Sequence, residues 1–260
     1  MRKLAFLPPV CALALGAVGF IFRKEVLDTA FDAAGLAVPG AHSAMMLLYL
    51  AAAAAVICIL LGSILGGTHR SEPEYVKAFS GGLLNIVANI VIAAAFIYAC
   101  WLIYGRYGSF RELNVLQLLF LVFAVLTAIA FIVMSVGAYR RKESGALAVF
   151  SLAPALFFCV WLIVFYRDNS VNPTVISFAY HCVAFAVTAV AFFIASGYAF
   201  GKSHRMLVLI TSLFAIFMCT LCAADFMNSL PEIILLGATV IELVINTSLF
   251  IANLRPRKEK

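Results

Sequence analysis

The sequence predicts an all-α integral membrane protein with about eight transmembrane helices. Three observations carry this: eight apolar stretches run through the 260 residues, 65% of the chain is hydrophobic while 12% is charged, and basic residues gather in alternate connections. The stretches cover residues 4–22, 44–65, 81–104, 115–138, 146–166, 175–198, 206–226 and 233–253. Each approaches the roughly 20 helical residues that cross a hydrocarbon core about 30 Å thick. A soluble domain carries about 25% charged residues, so little of this chain is left for one. The longest connections, 23–43 and 67–80, are too short to bury a core of their own. The chain reads as a single polytopic membrane domain, 1–260.

The charges sort by side. With the N-terminus in the cytoplasm, the inner segments hold Arg2, Lys3, Arg70, Lys77, Arg140, Arg141, Lys142, Lys202, Arg205, Arg255, Arg257, Lys258 and Lys260, 13 residues in all. The outer connections hold Arg23, Lys24, Arg106, Arg111 and Arg167, only 5. Cytoplasmic segments carry such an excess, which predicts a multi-pass protein of the cell membrane with both termini cytoplasmic. The net charge of +6 then needs anionic lipid head groups and no nucleic acid. The first stretch follows Met1-Arg2-Lys3 as a signal peptide would. It is long for one, and no small-x-small cleavage site precedes Arg23, so a retained helix is expected.

The connections carry local signals. Val26, Leu27, Ala30, Phe31 and Ala34 fall on one helical face, with Glu25, Asp28 and Asp32 opposite, before Gly35 and Pro39-Gly40. This predicts an interfacial amphipathic helix over residues 25–34. Ser71-x-x-Glu74, with Pro73 between, reads as a capping box opening the third helix. Residues 168–173 read as a polar turn.

The two halves, 1–143 and 144–260, resemble one another. Gly62, Gly66, His69 and Arg70 recur as Gly197, Gly201, His204 and Arg205 at an offset of 135, with Thr68 opposite Ser203. Either the halves are a tandem repeat, as in many transporters, or they share only the small residues and basic ends common to membrane helices.

All seven cysteines lie inside apolar stretches, which argues against a disulfide framework. Cys219-x-x-Cys222 has a redox-like spacing but no second pair in an outer connection, and reads as small packing residues. His42, His69, His181 and His204 are spaced too widely to stack two haems across a bilayer. His69 and His204 read as residues at helix ends. No nucleotide-binding, metalloprotease or serine-hydrolase motif occurs. No cofactor or metal is expected.

Function in a membrane domain is read from polar groups placed where they are costly. Glu242 lies near the middle of the eighth stretch and Asp225 near the outer end of the seventh. Glu242 must face a polar cavity, find a partner or stay protonated. Thr239, Asn246 and Asn253 share its helix face. Asn85 and Asn89 lie four apart on the third stretch. Ser177, His181 and Thr188 lie along the sixth, and Thr211, Cys222 and Asp225 along the seventh. Convergence of these stripes would enclose a polar track, with Asp225 and His181 outermost, Glu242 central and the asparagines deeper. Such a track suits a small secondary transporter for a small molecule or ion. The competing expectation is a non-catalytic membrane anchor, sensor or assembly subunit, whose Asn and Thr residues merely hold helices together. An enzyme fits less well.

Overall fold

Apolar segments in lipid must satisfy their backbone groups internally, and this chain does so with helices. The computed structural model describes residues 5–256 except 33–35, 37, 39–41, 72–73, 108–112, 172–173, 175 and 203. The helices are α1 (Leu7–Thr29), α2 (His42–Thr68), α3 (Tyr75–Ala78), α4 (Leu83–Tyr107), α5 (Val115–Arg140), α6 (Gly145–Ser151), α7 (Ala153–Asn169), α8 (Ile176–Ser196), α9 (Arg205–Cys222) and α10 (Leu230–Asn253). Short 3₁₀ turns, Gly197–Phe200 and Ala223–Phe226, extend α8 and α9. Helices α6 and α7 form one rod interrupted at Leu152, where Pro154 occupies the first turn of α7 and cannot continue the preceding ladder.

Among the described residues, seven rods are long and apolar enough to cross a membrane: α2, α4, α5, α6–α7, α8, α9 and α10. The remaining expected span is also helical. It is α1, whose last turns carry Arg23, Lys24, Glu25 and Asp28. The all-α membrane class is thus established, and eight is an approximate count.

Helix α9 is the centre of the bundle, packing against α1, α2, α8 and α10. Helix α4 lies between α5 and α10, and α7 between α5 and α8. Buried rings fill the space between α4, α5, α7 and α8, with Trp161 stacked on Phe185 at 4.5 Å and Phe96 edge-on to Phe131 at 5.6 Å. The two-residue strands β1 (His69–Arg70) and β2 (Arg255–Pro256) pair antiparallel, joining the end of α2 to the end of α10. Ala5 shares a buried cluster with Tyr75, Tyr198 and Leu254. Both ends of the described chain therefore lie at one end of the bundle.

Two local expectations are corrected. Residues 25–29 are the last turn of α1, not a separate surface helix. Val26 and Ala30 are buried against Leu47, Phe217 and Leu221, so the apolar face seeks protein, not the lipid interface. Ser71 does not cap the third helix, because its hydroxyl is 2.8 Å from that of Tyr198. Glu74 is the N-cap of α3, which ends before Ser80-Gly81-Gly82, and α4 starts afresh at Leu83. Asn253 spans this break by donating to the carbonyls of Ala78 and Ser80 at 3.2 and 3.0 Å. Gly35, Pro39-Gly40, Pro73, Pro173, Ser203 and residues 257–260 lie outside the described residues.

The matched glycines of the two halves stand in different structures. Gly62 and Gly66 remain helical and let α2 approach α9. Gly197 opens a 3₁₀ turn, and Gly201 ends it with φ 71°. The pairings also differ, since α8 packs on α9 while α2 makes no comparable contact with α4. A Cβ on Gly62 would lie 2.4 Å from Ile210 Cγ1 and 2.9 Å from its backbone nitrogen. Backbone cannot yield as a side chain can, so Gly62→Ala is expected to destabilise by about 1–3 kcal/mol. Thermal unfolding in detergent checks this. Gly67→Ala, which meets nothing within 4 Å, should leave the midpoint unchanged or raise it.

Candidate functional site

The expected polar track resolves into two separate centres. The first lies where α9 ends. There the helix tightens into the 3₁₀ turn Ala223–Phe226, which presents Asp225 to α1. Arg23 Nε donates to Asp225 Oδ1 and Oδ2 at 3.1 and 3.0 Å, and Nη2 donates to Oδ1 at 2.8 Å. The Arg23 side chain is 0% exposed and that of Asp225 11%. Such a fork matches a carboxylate geometrically, as a lysine could not. The guanidinium carbon also sits 5.1 Å from the ring centre of Tyr180, within cation–π range.

His181 completes this centre. It is buried, with Nε2 3.5 Å from Asp225 Oδ2, and neither ring nitrogen has a hydrogen-bond partner among the described residues. Its ring lies 4.6 Å from Phe165 and 4.9 Å from Phe226. Cys222 is fully buried beside it, and the donor atoms of His181, Cys222 and Asp225 all lie within 4.8 Å of one another. A cavity of about 130 Å³ adjoins this centre, lined by Trp161, Phe165, Phe226, Gln117, Asp168 and Glu232. At its rim Arg106 donates to Glu232 at 2.8 Å and to Ser229 at 2.9 Å, and the Ser229 hydroxyl also meets Glu232.

The second centre is Glu242. Its side chain points into the protein and is 2% exposed. Asn246 Nδ2 donates to Oε1 at 2.6 Å, while Oε2 has no hydrogen-bond partner. Thr239, on the same face, is wholly buried and donates to the Leu235 carbonyl at 2.7 Å. Asn89 donates to the carbonyl and side-chain oxygens of Asn85, both at 3.0 Å. None of Asn85, Asn89, His181 or Asp225 makes a hydrogen bond to Glu242 among the described residues. Tyr75 of α3 lies close enough to feel its charge. Burial first, and the Glu242 carboxylate second, hold the Tyr75 phenol above its usual range.

The structure brings Asp225 to His181 and Glu242 to Asn246, with Thr239 on the same face as Glu242. The sequence reading missed Arg23, read as a connecting residue. The clue to Arg23 was available: an unpaired Asp225 in an apolar stretch demands a cation. No family model matches the chain, and no characterised protein or solved structure shows significant similarity to it.

Proposed function

We propose that the protein is a small secondary transporter or permease-like protein of the cell membrane, with both termini cytoplasmic and Glu242 as its proton- or cation-binding group. Ala5 and Leu254, near the two ends of the described residues, share one end of the bundle, the end that carries Arg140, Arg141, Lys142, Lys202 and Arg205. That arrangement supports the orientation.

One observation carries the functional reading. Glu242 Oε2 is one of five buried oxygens on α4, α5 and α10 that lack a hydrogen-bond partner, with Asn89 Oδ1, Thr127 Oγ1, Thr247 Oγ1 and Ser248 Oγ. Buried polar atoms nearly always find partners, so the free oxygen of Glu242 is suited to a proton, a water or a hard cation. Glu242 lies twelve residues past Leu230 and Thr127 twelve past Val115. Each is therefore about 18 Å along its helix, near mid-membrane, where transporters place their sites.

The test is reconstitution into proteoliposomes under an imposed pH gradient. Substrates are chosen from a metabolite and ion panel by ligand-dependent thermal stabilisation. Uptake of a panel member with dissipation of the gradient is the expected result.

A second reading, an anchor or assembly subunit, draws on the surface. Helices α2 and α8 flank α9 without closing over it, leaving apolar clefts of about 430 Å³ at Met45 and Tyr180 and about 300 Å³ at Ile59 and Val190. A partner's transmembrane helix would suit this line of clefts. Absence of gradient-driven flux across the whole panel would favour that reading.

A further inference from the structure

We propose that His181, Cys222 and Asp225 form a binding site for a divalent transition-metal ion, with zinc the ion that best matches the donors. This site is independent of the Glu242 reading. The donor set is one imidazole nitrogen, one thiolate and one carboxylate oxygen, all ordinary zinc ligands. Hard ions such as magnesium prefer oxygen alone.

The geometry supports the assignment. In a tetrahedral zinc site with bonds of about 2.0–2.2 Å to nitrogen and oxygen, the two ligand atoms stand about 3.4 Å apart. His181 Nε2 and Asp225 Oδ2 stand 3.5 Å apart, too far for a good hydrogen bond but close to that ligand spacing. The third donor, Cys222 Sγ, completes a set whose members lie within 4.8 Å.

The unsatisfied histidine points the same way. A buried imidazole normally hydrogen-bonds, yet His181 is 2% exposed and neither nitrogen does so. A metal ion would take up the Nε2 lone pair. Arg23 contributes by orientation: its three bonds to Asp225 fix the carboxylate, the task of outer-shell partners in metal sites. Its positive charge also draws electron density from the carboxylate, which favours reversible over permanent binding.

An entry path adjoins the site. The rings of Phe165 and Phe226 that cover His181 also line the 130 Å³ cavity bearing Asp168 and Glu232. Asp168 is the carboxylate of that cavity not paired with Arg106, and a cation drawn in by it would meet these two rings before the site. On coordination Cys222 gives up its thiol proton to solvent, so that thiolate and carboxylate together offset the two positive charges of the metal ion. Three protein ligands leave a fourth position for water or an exchangeable group, as in reactive zinc sites.

Cobalt(II) titration of the full-length protein in detergent tests the proposal. The expected result is one equivalent of tetrahedral cobalt with thiolate-to-metal charge-transfer absorption, bleached by zinc. Cys222→Ser should abolish the charge-transfer band. His181→Gln should weaken binding on the order of tenfold or more. Cys159→Ser, which alters an exposed thiol, should change nothing. X-ray absorption of the zinc-loaded wild-type protein needs no variant, and should show one sulfur neighbour at about 2.3 Å with nitrogen or oxygen at about 2.0–2.2 Å. Zinc bound to oxygen and nitrogen alone, no cobalt uptake, or a charge-transfer band that persists in Cys222→Ser would each overturn it.

Discussion

Asp225→Ala is expected to lower the stability of the protein by about 3–5 kcal/mol, the usual cost of removing one member of a buried ion pair. The carboxylate accepts three hydrogen bonds from a guanidinium that is 0% exposed. That guanidinium cannot swing to water without unpacking α1 from α9. The pair is thus the polar lock between the first helix of the chain and the central one, 202 residues apart in sequence. Arg23→Ala should cost a similar amount, because it strands the carboxylate in the same place. The double change Arg23→Met with Asp225→Leu should recover most of the loss, since apolar groups of similar volume need no partner. The measurement is a double-mutant cycle on thermal midpoints in detergent, with monodisperse yield as a second readout. The coupling between the two sites should be a large part of either single effect. Single variants that unfold within about 0.5 kcal/mol of wild type would show that the lock is ornamental.

This pair marks the limit of what the sequence could convey. Long apolar runs announce helices in lipid because length and hydropathy are local properties, and seven spans were legible for that reason. Arg23 was not, because it is followed by Lys24 and Glu25, and a run of charges after an apolar stretch ordinarily means water. Only the tertiary packing of α1 on α9 shows that Arg23 ends inside while Lys24 does not. Cys222 shares the polar stripe of Asp225 in the sequence, but its place beside His181 also follows only from tertiary packing. Its neighbour Cys219, 3.1 Å from the Thr188 hydroxyl, behaves as an ordinary packing residue, and nothing in the spacing separates the two. The Gly62 and Gly197 endings show a different limit. Identical letters at a constant offset need not adopt one backbone, because Gly permits both a tight helix contact and a left-handed turn. Glu242 was legible because a lone carboxylate amid apolar neighbours has no cheap explanation.

Glu242→Gln is accordingly the change with the largest expected effect on function and a small one on folding. Glutamine keeps the volume of the side chain. Its carbonyl oxygen can accept from Asn246 Nδ2 as Glu242 Oε1 now does at 2.6 Å. The packing around the wholly buried Thr239 is untouched, so the thermal midpoint should stay within about 1 kcal/mol of wild type, the net worth of one hydrogen bond. What glutamine cannot do is gain or lose a proton, or offer a charged oxygen to a cation. In proteoliposomes that accumulate substrate under a pH gradient, the variant should reduce gradient-driven uptake to the level of protein-free vesicles. Exchange of substrate down its own gradient should survive, because glutamine keeps the size and the polar character of the side chain. Glu242→Ala offers the contrast, since it strands Asn246 without an acceptor and should cost stability of about 1–3 kcal/mol as well. Gradient-driven uptake by Glu242→Gln at the wild-type rate would remove Glu242 from the coupling mechanism and leave it as a packing residue that happens to carry an acid.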